Sequence, residues 1–103
     1  MIKLGEFARY IRSKNAGPFS LTLDVFFKSK EDYQKALQKQ YITAELIEQL
    51  YFVPGNQVKI FHCEDLNTIK ISIPRPTSQA GVDDRDVHGG QQFSLLYEVK
   101  IKD

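Results

Sequence analysis

Thiol groups are nearly missing from this sequence, because its 103 residues include a single cysteine, Cys63. One thiol excludes a disulfide within the chain and any metal site built from several thiolates. Long apolar runs are missing as well, and none approaches the roughly 18 residues that a membrane span needs. Residues 1–6 lack the apolar core and the small-residue cleavage site of a signal peptide. We therefore expect a cytoplasmic chain that makes no contact with membranes.

An excess of charge of either sign is also missing, since 14 Lys and Arg residues oppose 13 Asp and Glu residues, for a net charge of +1. Nucleic-acid binders usually carry a basic surface, and no basic stripe is visible here, so we predict no nucleic-acid partner. Apolar residues make up 42% and charged residues 26% of the chain, as in ordinary soluble globular proteins. The length suits one core, and we predict a single domain over residues 1–103.

Recognised catalytic signatures are missing too: the sequence contains no GxSxG, HExxH, Walker A or GxGxxG pattern. His62 and Cys63 are neighbours, but no second thiol or nearby histidine accompanies them. This disfavours both metal ligation and a Cys–His nucleophile. A self-sufficient enzyme of a recognised type is therefore disfavoured, and we predict no metal site.

Helical spacing is clearest at the N-terminus, where Leu4, Phe7, Ala8 and Ile11 recur at intervals of three and four. This predicts a helix over residues 4–12 that stops in the segment Asn15-Ala16-Gly17-Pro18. A capping box at residues 29–32 and Thr43 open two further helices. Residues 91–96 are predicted to form one or two helical turns.

Alternation of apolar and polar residues predicts strands at 19–27, 57–63, 67–73 and 97–102. With the helices between them, the order is βαββαβ. We therefore predict an α+β fold, a ferredoxin-like sandwich with an antiparallel four-stranded sheet and an extra N-terminal helix.

In this topology two polar segments meet at one edge of the sheet, because the strand 67–73 ends beside the start of the strand 19–27. The segments are residues 12–18 and the long loop 74–90, and a helix following Gly90 would add its N-terminus. Cations, glycines and a helix N-terminus favour a carboxylate or phosphate. The predicted ligand-binding residues are Arg12, Ser13, Lys14, Asn15, Gly17, Arg75, His88, Gly89, Gly90, Gln91 and Gln92.

Each feature has a plainer alternative. Arg12 and Lys14 are more typical of an ordinary solvated helix end, which favours cations at its C-terminus. The acidic residues at 83, 84 and 86 suit a hard cation such as Mg²⁺, or simply solvent. His88 is placed to move a proton or to sit in a surface turn. Asp24 on its strand either reaches a ligand or pairs with Lys70 on the neighbouring strand.

The block Arg12-Ser13-Lys14-Asn15-Ala16-Gly17-Pro18-Phe19, followed by Leu21-Thr22-Leu23-Asp24, resembles domain-of-unknown-function family 4387. Ile73-Pro74-Arg75-Pro76, the acidic residues 83–86 and Gly89-Gly90-Gln91-Gln92 agree with it, so the resemblance covers nearly the whole chain. It implies a ferredoxin-like fold, similar to the small C-terminal domain of AtuA-family proteins, named from acyclic terpene utilisation. It also implies a large AtuA-type partner acting in the catabolism of organic acids or acyl thioesters. No catalytic residue is carried over, and His88 stands where the family pattern favours an aromatic residue.

Our leading hypothesis is a small accessory subunit that completes a site on a larger AtuA-like protein, in a lyase or hydratase step. Arg12 and Lys14 would hold the anion, and the glycines would admit the ligand close to the backbone. Gln91 and Gln92 would donate hydrogen bonds. Two alternatives remain open: a homo-oligomeric module whose strand 97–102 pairs with a copy of itself, and a small independent enzyme that uses the His88 loop. No particular cofactor is implied.

Overall fold

The computed structural model describes residues 2–17, 20–74 and 93–102, which form an α+β fold around a four-stranded antiparallel sheet. The strands are β1 (Ile2–Lys3), β2 (Tyr10–Asn15), β3 (Ser20–Phe26), β4 (Lys59–Cys63), β5 (Thr68–Pro74) and β6 (Lys100–Ile101). The helices are α1 (Leu4–Phe7), α2 (Lys30–Gln38), α3 (Ala44–Tyr51) and α4 (Phe93–Tyr97), with short 3-10 turns at Gly55–Gln57 and Glu64–Leu66.

The main sheet has the order β2-β3-β5-β4, and every neighbouring pair is antiparallel. Alternate residues of the two central strands form its core face, where the register places Leu21 opposite Ile73 and Leu23 opposite Ile71. These side chains are buried under the helices, as the alternating pattern predicts. The predictions of strands at 19–27 and 67–73 are confirmed, with ends that differ by about one residue.

The two central helices begin where their capping residues predict. The Ser29 hydroxyl accepts a hydrogen bond from the Asp32 N–H at 3.1 Å, and the Thr43 hydroxyl accepts one from the Leu46 N–H at 3.1 Å. Each cap satisfies a backbone donor that the first helical turn leaves unpaired. The helices α2 and α3 therefore start at residues fixed by local sequence.

The helix predicted over residues 4–12 is wrong beyond Phe7. Ala8 is extended, the Arg9 N–H donates to the Phe26 carbonyl at 2.7 Å, and Tyr10–Asn15 is the edge strand β2. All four apolar positions of the helical pattern are nevertheless buried. Pairing with β3 satisfies backbone groups that a helix here would leave unpaired along the edge of β3. That tertiary gain outweighs the local spacing.

The strand predicted over 97–102 is reduced to Lys100–Ile101, and it pairs with β1 instead of joining the main sheet. The edge position beside β3, which βαββαβ wiring reserves for the last strand, is occupied by β2. The ferredoxin-like topology and the full N-terminal helix are thus not confirmed. The cause is β2, which forms a short, local hairpin with β3 and thereby occupies the position beside it.

The two chain ends form a second small unit. The Leu4 N–H donates to the Val99 carbonyl at 2.7 Å, and the Tyr41 hydroxyl donates to the Lys102 carbonyl at 2.7 Å. Leu96 in α4 is fully buried, as expected for helical turns within the predicted stretch 91–96. In the ranges that the structure describes, no helix has the length and apolarity of a membrane span.

Candidate functional site

The candidate site lies at one end of the strands of the main sheet, where β3 begins and β5 ends. We call this end the sheet edge. The register places Ser20 opposite Pro74, and Leu21 lies between Ile73 on one side and Asn15 on the other. The turn after β2 and the exit of the chain at Pro74 therefore share one edge. The end of the predicted strand 67–73 therefore lies beside the start of the predicted strand 19–27, as the sequence analysis expects.

A polar pocket of ≈ 350 Å³, which we call the edge pocket, opens at this edge. Its lining combines two hydroxyls, two amides and one ammonium group with two apolar residues: Ser20, Asn56, Gln57, Lys59, Ser72, Ile73 and Pro74. Within the part of the chain that the structure describes, no carboxylate belongs to this lining. Neutral donors around a single cation are a suitable environment for a carboxylate or a phosphate.

A row of directly opposed residues crosses the open face of the sheet at this pocket: Lys14, Thr22, Ser72 and Lys59. Because residues directly opposite each other in antiparallel strands share a face, both lysines lie on the face of the pocket hydroxyls. The three strand spacings separate the two backbones by about 14 Å. Lys14 is exposed, and its carbonyl accepts a hydrogen bond from the Thr22 hydroxyl at 3.5 Å. Lys59 is the cation that lines the pocket, and Lys14 flanks it.

Arg12, which the sequence analysis places in the anion site, forms an ion pair with the carboxylate of Asp24. Its guanidinium lies 2.9 Å from the carboxylate of Asp24, directly opposite on β3, and 5.4 Å from the centre of the Phe26 ring. Lys70 also lies opposite Asp24, as the cross-strand expectation requires, but Asp24 forms its ion pair with Arg12. Arg12 is therefore less available than Lys14 or Lys59 to a ligand.

The remaining predicted residues of the early segment face in different directions. Ser13 lies opposite Leu23 and is buried on the core face, away from the pocket hydroxyls. Asn15 is exposed at the end of β2. Gly17 has φ +92°, a conformation that side chains rarely adopt, so glycine is required for this turn.

The other predicted site residues lie outside the described ranges: Arg75, His88, Gly89, Gly90, Gln91 and Gln92, together with the acidic residues 83, 84 and 86. The described part of β5 ends at Pro74, at the wall of the pocket.

Metal-binding and nucleophilic groups do not converge in the described ranges. No cluster of three or more His, Cys, Asp or Glu side chains there is placed to hold a metal ion. Cys63 is a free, half-buried thiol opposite Thr68, one row away from His62 opposite Ile69. Within these ranges the edge pocket thus has binding groups and no assembled catalytic group.

Sequence reasoning missed Ser20, Ser72, Asn56, Gln57 and Lys59. The alternation of apolar and polar residues predicts both strands that carry Lys59 and Ser72. Only the register of their pairing places these two residues opposite each other. The two amides belong to the 3-10 turn that leads into β4.

The family model for a domain of unknown function, DUF4387, matches residues 4–100. The chain belongs to the DUF4387 family. The match spans every element from α1 to the start of β6, including the edge pocket and the row from Lys14 to Lys59. No curated protein and no solved structure matches the chain.

Proposed function

We propose that this DUF4387 chain is a small accessory subunit that binds a large AtuA-like protein and supplies an anion-binding edge to a site acting on organic acids or acyl thioesters. The edge pocket is the observation that carries the proposal, because hydroxyls and amides surround Lys59 there and no carboxylate of the described residues joins the lining. The sequence resemblance to the small domain of AtuA proteins supports the partner. A lyase or hydratase step is the reaction class we assign to the complex.

The size and position of the pocket support an accessory role. Ligand sites commonly enclose ~300–1,000 Å³ and often form between domains. This pocket has ≈ 350 Å³ and lies on an open sheet edge, bounded by β3, β5, β4 and the turn before it. A second protein placed against this edge would supply the missing wall and exclude water. The charge of Lys59 would then act in a less polar environment, where it binds an anion more strongly.

Co-purification tests the partnership. The chain is co-expressed with the tagged large AtuA-type protein, and the complex is captured through the tag and sized by light scattering. We expect a stable complex that survives gel filtration. Recovery of the large protein without the chain at micromolar concentration would contradict the accessory role.

A matched pair of lysine variants then tests the pocket within the complex. Lys59→Gln removes the cation that lines the pocket, whereas Lys70→Gln removes one on the same sheet face outside the lining. We expect Lys59→Gln to raise the KM for an anionic substrate about tenfold, since hydrogen bonds to charged groups contribute ~1.5–3 kcal/mol. Lys70→Gln should leave KM unchanged. Equal effects of the two variants would contradict a specific site.

A homo-oligomeric module is the second candidate, favoured by one observation at the chain ends. In the described ranges β6 pairs only with β1, so its other edge has no strand partner there. Such an edge can pair with a copy of itself. A concentration-independent dimer in the absence of the large protein, lost when Lys100 is replaced by proline, would favour this candidate over the accessory role. Lys100 is the residue to replace because the Val99 carbonyl faces β1, so the backbone groups of Lys100 face the other edge.

We infer that the sheet is a variant of the ferredoxin-like arrangement. Three strands support this, because β3, β5 and β4 have the order and directions that βαββαβ wiring gives its first, third and second strands. The strand β2 occupies the position that this wiring gives to the last strand. We also infer a cytoplasmic location, where a catabolic partner would act.

A further inference from the structure

A second cavity, of ≈ 580 Å³, lies between the connection from α2 to α3 and the last strand. We call it the C-terminal groove. Its residues come from two stretches of chain that meet only in the fold: Lys39, Gln40, Tyr41, Thr43 and Leu46 on one side, and Val99, Lys100, Ile101 and Lys102 on the other. It shares no lining residue with the edge pocket.

Among the described residues, the charge that lines the groove is of one sign. Lys39, Lys100 and Lys102 line it, and no carboxylate of residues 2–17, 20–74 or 93–102 does. The ion pairs of the described ranges involve other cations, namely Lys3, Arg12 and Lys30. Three exposed ammonium groups without an ion-pair partner in these ranges therefore surround one cavity. Their mutual repulsion is relieved when an anion binds between them.

Apolar side chains form part of the groove. Leu46 and Val99 are partly buried against the core and leave apolar surface accessible, whereas Tyr41 and Ile101 are almost fully buried within it. The Tyr41 hydroxyl donates to the Lys102 carbonyl at 2.7 Å, which joins the two walls. An apolar surface beneath a rim of cations suits a molecule that is apolar at one end and anionic at the other.

The helix α3 adds to this preference for an anion. Thr43, its N-cap, lines the groove, and Leu46 follows in the first turn. The N-terminal end of a helix carries a partial positive charge, which acts in the same direction as the three lysines.

We propose that the C-terminal groove binds an amphipathic monoanion, a carboxylate carried on an apolar chain of several carbons. The carboxylate lies between Lys39, Lys100 and Lys102, and the chain packs on Leu46 and Val99. This site is separate from the anion-binding edge and does not depend on it.

An NMR titration of the ¹⁵N-labelled 103-residue chain tests the proposal with butanoate, hexanoate and octanoate. We expect saturable shifts at residues 39–46 and 99–102. The affinity should rise about fourfold for each added methylene, which corresponds to ~0.8 kcal/mol per buried CH₂. Hexanol, which has the same chain length as hexanoate and no charge, should bind at least tenfold more weakly than hexanoate. Absence of saturable shifts, equal affinities along the series, or equal binding of hexanol and hexanoate would each overturn the proposal.

Charge variants complete the test. Lys100→Gln with Lys102→Gln should weaken octanoate binding about tenfold, and Lys100→Arg with Lys102→Arg should restore it. Lys30→Gln, an exposed lysine outside the groove, should have no effect. Lys59→Gln should also leave octanoate binding unchanged, so failure of the edge pocket and failure of this groove are distinguishable. Octanoate affinity that is unchanged in the double glutamine variant would overturn the proposal.

Discussion

The guanidinium of Arg12 lies 2.9 Å from the carboxylate of Asp24, and the two residues face each other across β2 and β3. The pair is asymmetric: the Asp24 side chain is 5% exposed, whereas that of Arg12 is 54% exposed. Oδ1 of Asp24 is buried without a hydrogen-bond partner in the described ranges. The carboxylate therefore depends on Arg12 for the compensation of its charge, and the pair stabilises the fold beside the candidate site.

Loss of Arg12 should thus destabilise the fold more than loss of an ordinary surface cation. We expect Arg12→Gln to lower the free energy of unfolding by about 1–2 kcal/mol, because a buried carboxylate loses its partner while solvent still reaches the Arg12 side of the pair. The double variant with Asp24→Asn should recover part of this loss. Urea unfolding monitored by circular dichroism measures both.

Lys70→Gln is the control for this pair, because Lys70 also lies opposite Asp24 but forms no ion pair with it. Its effect should stay within about 0.5 kcal/mol, as for most surface substitutions. A loss for Lys70→Gln equal to that for Arg12→Gln would show that Asp24 relies on both cations.

Replacement of Gly5 is expected to destabilise the fold because of the close approach of Tyr97. A Cβ atom at residue 5 would overlap the Tyr97 ring, which packs directly on the backbone of α1. Gly5→Ala should therefore cost about 1–3 kcal/mol in the free energy of unfolding, the usual range for overpacking. In a Tyr97→Ala background the same substitution should become nearly neutral. Equal penalties in both backgrounds would contradict the packing of α1 against α4.

Stability should fall at alkaline pH because of a buried phenol. Burial raises the pKa of Tyr51 well above its usual value, and a hydrogen bond with the Leu96 backbone opposes only part of that shift. The unfolded chain releases this proton near pH 10, whereas the native chain retains it. The free energy of unfolding is therefore unaffected by this group below about pH 10 and falls above it, by about 1.4 kcal/mol per pH unit.

Comparison with Tyr51→Phe isolates this group, since the variant keeps the ring and has no ionisable hydroxyl. Its free energy of unfolding should decline less between about pH 10 and pH 11.5 than that of the unmodified chain. Parallel pH profiles for the two proteins would mean that the Tyr51 phenol ionises as readily in the native state as in the unfolded one.

Local signals predicted much of the fold. The caps at Ser29 and Thr43 and the alternation along β3 and β5 depend on neighbouring residues, so the sequence displays them directly. Residues 8–12 could not be predicted in this way. Together with Leu4 and Phe7, their apolar spacing fits a helix, and only pairing with β3 makes Tyr10–Asn15 a strand.

The candidate site was predicted less completely than the fold. The shared edge followed from strand directions, and Ser20 opposite Pro74 is the contact that this argument requires. The choice of cation did not follow, because Arg12 and Lys14 alternate with Ser13 on one strand and only tertiary pairing decides which of them is neutralised. Lys59 lies 45 positions beyond Lys14, so no local pattern connects them.

Anion-dependent melting of the isolated chain tests the central claim, that the sheet edge binds an anion, most directly. Thermal unfolding is followed with increasing phosphate or succinate against chloride at equal ionic strength, for the unmodified chain, Lys59→Gln and the control Lys70→Gln. We predict saturable stabilisation of the unmodified chain and of Lys70→Gln, reaching about 2.7 kcal/mol at one hundred times Kd. The Lys59→Gln variant should lose most of it. No anion-dependent shift in the unmodified chain, or an equal shift in Lys59→Gln, would contradict the account.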